Sequence, residues 1–240
     1  MARLQKFPSL SIIIPTLNEA SHIPLILADL NVWPYAFDLT IVDGGSEDLT
    51  TSIAEIQGIN VIKSLKKNRG YQLNIGASKA KEDWLFFLHA DSRLDSRWVK
   101  SVAKIITSKK SEKIAWYFNF KIKSNNLQFR ILELAVALRS HFLQKPYGDQ
   151  GLLIHKDLYL LSGGFSSLKI MEDLDIITRI TKTNKVKCTG VNIYTDHAKW
   201  VKKNIITRAI KNSILRKKWR QGYDIDNLSE EYYSESNNTN

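Results

Sequence analysis

Cysteine is nearly absent from this chain of 240 residues: Cys188 stands alone. No disulfide can form within it, and a reducing, cytoplasmic setting fits. Long apolar runs are missing as well. The nearest is Ile131–Leu138, interrupted by Glu133 and flanked by Arg130 and Arg139. It falls far short of the roughly 18–20 apolar residues that span a bilayer. Met1–Leu10 carries Arg3 and Lys6 with no apolar core before Leu10, so no signal peptide is expected.

Two phosphate-binding signatures are also missing. No G-x-G-x-x-G follows the first apolar run, which argues against NAD or FAD, and no G-x-x-x-x-G-K-[ST] exists, which excludes a P-loop. A phosphorylated ligand would have to be neutralised another way, most simply by a metal. Acidic residues are missing from His197 to Tyr223, where lysine and arginine are dense. With a formal net charge of +11, the chain favours polyanions such as nucleic acid, anionic lipid heads or phosphorylated small molecules. The tail 224–240 turns acidic and polar and is expected to be disordered.

What is present is an alternation. Leu10–Ile14, Asp38–Val42, Ile59–Ile62 and Trp84–Leu88 read as strands. Helical spacing at Ile23, Ile26, Leu27 and Leu30, and over Tyr71–Ala80, falls between them. Ser46 is expected to cap the helix after the second strand. This order implies an α/β fold with parallel strands and crossover helices. Further on, Ala115–Ile122, Gly151–Ile154 and Val186–Tyr194 read as strands, and Leu127–Leu143 and Leu174–Thr181 as helices. With neither repeat nor flexible linker, one domain over 1–223 is expected: a nucleotide-binding half over 1–95 and an acceptor half over 96–223.

Ligands of such sheets bind beyond the carboxyl ends of the strands. Three polar clusters fall there: Pro15-Thr16-Leu17-Asn18-Glu19, Asp43-Gly44-Gly45-Ser46 and His89-Ala90-Asp91-Ser92. Asp43 could accept bonds from a ribose or base edge, or simply form an Asp-Gly turn. Asp91 is the kind of hard oxygen ligand that Mg²⁺ or Mn²⁺ prefers, or else part of a helix cap. In Glu172-Asp173-Leu174-Asp175 three carboxylates open a helix; they offer a general base, or serve the helix dipole. Asp149 and Gln150, in the loop Pro146–Gly151, could bind acceptor hydroxyls or brace the loop. His89, His155 and His197 have no metal-binding spacing.

Together these segments resemble the family 2 glycosyltransferases, from Leu10 to about Gly222. Ser11–Glu19 is similar to that family's first strand and nucleotide loop, Val42–Ser46 to its second, Leu88–Ser92 to its metal-binding D-x-D element, and Glu172-Asp173 to its acidic pair. A narrower bacterial subgroup, associated with arsenosugar biosynthesis, is resembled through Arg69–Asn74, Phe87–Asp91, Pro146–Gly151, and Gly163-Gly164-Phe165 followed by Met171–Asp173.

The resemblance implies a GT-A-like fold: a mostly parallel central sheet, helices on both faces and a Rossmann-like nucleotide half. It implies inverting transfer from a nucleoside-diphosphate sugar donor to a small-molecule or lipid-linked acceptor, assisted by Mg²⁺ or Mn²⁺ on Asp91. Asp173 is then the base, with Glu172 beside it. Pro15, Thr16, Asn18, Glu19, Asp43, Gly44, Arg69, Asn74, Ala90 and Asp91 would form the donor site, and Tyr147, Asp149, Gln150 and Trp200 the acceptor site. Two departures stand out. His89 occupies the first position of D-x-D, and Thr195-Asp196-His197-Ala198-Lys199-Trp200 stands where relatives carry paired arginines before a tryptophan.

Three other readings are open to the sequence. The basic stretch 199–222, with Trp200, Trp219 and Tyr223, could bind nucleic acid, although no RRM, KH or zinc pattern supports it. Its apolar Ile205, Ile206, Ile210 and Ile214 suit a peripheral contact with an anionic membrane. A nucleotidyltransferase would need a glycine-rich loop and a basic residue after the first strand, and these are missing.

Overall fold

A computed structural model describes residues 9–124, 126–195 and 205–237. Strand β1 (Leu10–Thr16) is buried along its whole length. Its neighbours β2 (Phe37–Asp43), β3 (Asn60–Lys63) and β4 (Trp84–Phe87) complete a parallel group, with β1 between β2 and β4. Helices α1 (Ile23–Leu30), α2 (Thr50–Ile56) and α3 (Arg69–Lys79) make the crossovers.

The second half extends the same sheet with mixed polarity. Its elements are β5 (Arg93–Leu94), α4 (Trp98–Ile106), β6 (Ile114–Ile122), α5 (Leu127–Phe142), β7 (Leu152–His155), α6 (Lys156–Leu161), α7 (Glu172–Ile180), β8 (Lys185–Thr195), α8 (Ile205–Arg220) and α9 (Ile225–Asn237). The eight strands run in the order β3-β2-β1-β4-β7-β6-β8-β5. β7 is antiparallel to both β4 and β6, β8 is parallel to β6, and β5 is antiparallel to β8.

Strand side chains alternate between the two faces. Ile12, Ile14, Trp84 and Phe86 enter one core with α1 and α4; Ile13, Leu85 and Phe87 enter a second core with α3 and α7. Both faces are covered, which is why β1 and β4 read as unbroken apolar runs. Gly76 lets α3 press onto β1, since a Cβ there would collide with Ile13 Cγ2.

Two expectations are corrected. Ser46 does not cap α2, which starts at Thr50 after Leu49. The Ser46 amide and hydroxyl both turn back onto Asp43, at 2.8 and 2.5 Å. Residues 225–237, expected to be disordered, form helix α9. Leu228 packs with Ile170 of the loop before α7 and Leu215 of α8, with Ile225 and Tyr232 alongside. The apolar residues recur at helical spacing, and their burial outweighs the acidic composition.

Candidate functional site

A cleft of about 460 Å³ opens beyond the carboxyl ends of β1, β2 and β4. Small-molecule sites commonly enclose about 300–1,000 Å³. Its sheet-side wall is Pro15, Thr16, Gly44, Ala90 and Asp91, with Glu19 at the edge. Gln72 of α3 staples this wall together: its side-chain amide donates to Thr16 O at 3.0 Å and Val42 O at 2.7 Å. The Gly44 amide reaches Thr16 O at 2.8 Å, and an added Cβ on Gly44 would sit 3.3 Å from that oxygen.

Asp43 lies behind the wall, 2% exposed. It accepts bonds from Thr16 Oγ1 at 3.0 Å, the Gly45 amide at 2.9 Å and both donors of Ser46. Burial works to raise its pKa, but the bonds from Ser46, Gly45 and Thr16 outweigh it and hold the carboxyl below its ordinary value. Asp43 is therefore an ionised organiser of the turn. Asn18, with φ +56°, locks the two loops: its amide donates to Ser46 Oγ at 2.8 Å, and its Oδ1 accepts from the Glu47 amide at 2.9 Å. It does not line the cleft, whereas Glu19 does, its amide held by Thr50 Oγ1 at 2.8 Å.

Across the cleft stand α7 and the loop 146–151. Asp173 takes the Gly148 amide on Oδ2 at 2.7 Å and the Leu174 amide on Oδ1 at 2.8 Å. The two bonds fix the carboxylate at the start of α7. Asp149 lines the same cleft, and its Oδ1 is buried with no hydrogen-bond partner among the described residues. Burial, reinforced by the charges of Asp173 and Asp91, pushes the Asp149 carboxyl up to about 6, against the pull of Arg139 and Arg69. Asp91 accepts from Thr195 Oγ1 of β8 at 3.3 Å. Lys67, Arg69, Lys169 and Arg216 supply positive charge along the cleft.

Several expected site residues have other work. Glu172 is 1% exposed and forms an ion pair with Arg69, so it fixes that guanidinium rather than facing the cleft. Burial lowers the Arg69 pKa, but Glu172 and Asp173 overcome this and keep it firmly charged. Gln150, expected in the acceptor site, is 1% exposed. Its Oε1 accepts from Ser140 at 2.8 Å, Arg139 at 3.0 Å and the Tyr147 amide at 3.2 Å, and its amide donates to Phe118 O at 3.1 Å. It braces the loop. Asn74, expected at the donor, is turned away and holds Phe165 O at 2.8 Å. Tyr147 does line the cleft. Trp200 lies outside the described residues.

Sequence reasoning missed other contributors. Tyr232 and Tyr233 of α9 reach the cleft, from a segment expected to be unstructured. Arg139 and Arg216 stack on the Tyr147 ring, 3.3 and 4.9 Å from its centroid, and join α5 to α8. The paired cations became visible only once the helices were placed.

Among the described residues, no three side chains gather as metal ligands. The donor set still suits a hard divalent ion of the kind that takes one or two protein carboxylates and completes its shell from phosphates and water. The unpartnered oxygen of Asp149 and the electrostatic coupling of Asp149 to Asp91 and Asp173 mark where negative charge collects.

A parallel first half, a mixed second half and a carboxylate-lined cleft across the strand ends define a protein of the GT-A type. The chain belongs to glycosyl transferase family 2, whose profile matches residues 11–170. It is 39% identical over 94 residues to a "PGL/p-HBAD biosynthesis glycosyltransferase" of Mycobacterium bovis (strain BCG / Pasteur 1173P2), covering 36% of this chain and 37% of that protein. An "Uncharacterized glycosyltransferase" of Haemophilus influenzae is 26% identical over 182 residues, 71% of this chain and 61% of that one. The chain thus spans well under two thirds of the mycobacterial relative. Among solved structures, S. aureus TarS 1-349 in complex with UDP-GlcNAc superposes with a TM-score of 0.62 at 17% identity, covering 78% of this chain and 58% of that one. The mannosyltransferase PcManGT from Pyrobaculum calidifontis, in complex with GDP-Man and Mn²⁺, gives 0.59 at 16%, covering 79% and 57%. At these identities the structural likeness speaks for the fold alone.

Proposed function

We propose that this chain transfers a sugar from a nucleoside-diphosphate donor to an acceptor hydroxyl, by inverting single displacement and with a divalent ion. The observation that carries this reading is the placement of Asp173 and Asp91 in one cleft with Arg69, Lys67, Lys169 and Arg216. Separated acidic and basic groups are what a diphosphate leaving group and a hydroxyl nucleophile require together.

In this reading Thr16, Glu19 and Gly44 shape the nucleoside end, and Asp43 sets their backbone. Arg69 neutralises phosphate charge, held in place by Glu172. Asp173 removes the proton from the acceptor hydroxyl as that oxygen attacks the anomeric carbon. Each of its oxygens accepts one backbone N–H, Oδ2 from Gly148 of the loop and Oδ1 from Leu174 of α7, and each keeps a second lone pair that can take a proton. Asp91 would hold a bound Mg²⁺ or Mn²⁺, which supplies Lewis-acid stabilisation of the departing diphosphate. Asp149 and Tyr147 sit toward the acceptor. PcManGT and TarS were solved with GDP-Man and UDP-GlcNAc, which supports a nucleotide-sugar donor here. The four ordered motifs quoted above support the arsenosugar-associated subgroup as the narrower assignment.

A thermal-shift screen of UDP, GDP, CDP and dTDP, each with and without Mn²⁺, tests the reading. One nucleotide is expected to raise Tm by mass action, and more strongly with the metal. No stabilisation by any of the four would overturn it.

A further inference from the structure

Helix α5 is apolar on two opposite faces. Phe129 and Val136 pack on Phe120 and Ile122 of β6, as a helix on a sheet should. Leu127, Ile131, Leu134, Leu138 and Phe142 form a second stripe at spacings of three and four, and this one faces solvent. Ile131, Leu134 and Phe142 are 63%, 60% and 73% exposed. A helix apolar all round is normally enclosed. An exposed contiguous apolar patch marks an interaction surface.

The charges around the stripe identify the partner. Between Glu112 and Asp149 the sequence has one acidic residue, Glu133, against six lysines and arginines. Glu133 is buried and consumed internally, by Lys121 Nζ at 2.8 Å and Arg130 at 2.7 Å. Glu133 balances only one of those two cations, so the three together stay positive, and exposed Lys123 adds to the charge beside the stripe. A second copy of this chain would bring like charges together and is disfavoured. No helix among the described residues is long and apolar enough to cross a membrane. A helix of this length, about 24 Å, with an apolar stripe and a basic flank suits lying in an anionic lipid interface. Exposed Ile210 and Ile214 lie on α8, which shares the Tyr147 ring with α5.

We infer that α5 docks the protein on an anionic phospholipid surface through the stripe Leu127–Phe142. The contact surface thus differs from the basic stretch 199–222 that the sequence suggested. The α5 helix runs directly into the loop that carries Tyr147 and Asp149, so docking brings the cleft's acceptor side to the lipid. The inference needs no transferase activity.

The test is co-sedimentation with phosphatidylcholine vesicles, with and without phosphatidylglycerol. The full chain is expected to pellet with the mixed vesicles and to be released by raising salt, because the basic flank acts within a Debye length. The triple variant Ile131→Ser/Leu134→Ser/Leu138→Ser is expected to lose at least about tenfold in partitioning. Retained nucleotide-induced thermal stabilisation shows that it is folded. Ile210→Ser/Ile214→Ser is expected to lose less. Should the triple variant misfold, the single exposed change Leu134→Asp with the same readout decides the matter. Absence of wild-type binding to phosphatidylglycerol vesicles, or equal binding of the α5 variants, overturns the inference. So does a wild-type dimer in sedimentation velocity that the α5 changes dissolve, since the stripe would then be a protein interface.

Discussion

The Gly148 amide donates to Asp173 Oδ2 at 2.7 Å, and this bond ties the loop 146–151 to the start of α7. A side chain on the same glycine would crowd the site: a Cβ would lie 3.0 Å from His89 Nε2 and 3.3 Å from the Asp173 oxygen, so one of them would have to shift. Loop position and carboxylate position are therefore a single variable.

Asp173→Asn keeps the shape of the side chain and removes its basicity. Nucleotide binding is expected to change little, while turnover falls by at least about 10²-fold, the usual consequence of losing a general base. Steady-state kinetics beside nucleotide titration separates the two. Near-normal turnover removes Asp173 from the role.

Asp91→Ala tests the ion. Isothermal calorimetry of the preferred nucleotide with and without Mn²⁺ is expected to show the metal's enhancement lost in the variant. An unchanged enhancement places the ion elsewhere.

Asp149 gives a pH signature. Its carboxyl is raised from 3.8 to about 6 in the fold, so the folded state holds that proton more tightly than the unfolded one. The associated stability is present below about pH 4 and is lost as pH rises through 6. Asp149→Asn removes that loss. Its Tm relative to wild type is expected to rise between pH 5 and pH 8, by the equivalent of about 1–3 kcal/mol. A flat difference across that range refutes the assignment.

Gln150→Leu strips the brace from the loop. It leaves Phe118 O, Ser140 Oγ and the Arg139 guanidinium short of partners in a buried place. A cost of about 2–4 kcal/mol is expected, measured by urea unfolding. Turnover is expected to fall as well, because Tyr147 and Gly148 belong to the same loop.

Truncation after Tyr223 removes α9. Ile170 and Leu215 then lose Leu228, and the cleft loses Tyr232 and Tyr233. A lower Tm and weaker nucleotide binding are expected together. Binding at full strength would show that the two tyrosines are bystanders.

Much of the fold was legible because its strands are buried on both faces. The runs Ile12–Ile14 and Trp84–Phe87 have no competing helical period, and polar clusters stop them where a site must begin. Asp91 stands out at such a position, Asp173 and Asp149 stand out in an acidic helix start and a glycine-bounded loop, and Arg69 enters through the resemblance; all four line the cleft. Gln150 and Asn74 hold backbone carbonyls in the structure, and a polar residue in a motif looks the same whether it serves a ligand or a carbonyl. Only the packing of β6 against the loop shows Gln150 reaching Phe118 O. Glu172 was read beside Asp173, yet one helical step, about 100° of rotation, sends neighbouring side chains to different surroundings. The tail was misread from composition: Ile225, Leu228 and Tyr232 are too few to raise its mean hydropathy, but they fall on one face.

Strand β7 reaches back from residues 152–155 to lie beside β4. A fragment ending near residue 95 would therefore keep its four parallel strands but lose the cover of Trp84–Phe87. That would leave an apolar edge with unpaired amides and carbonyls, which templates aggregation. The parallel half is not an exchangeable cassette: grafting it onto another second half requires carrying β7 with it.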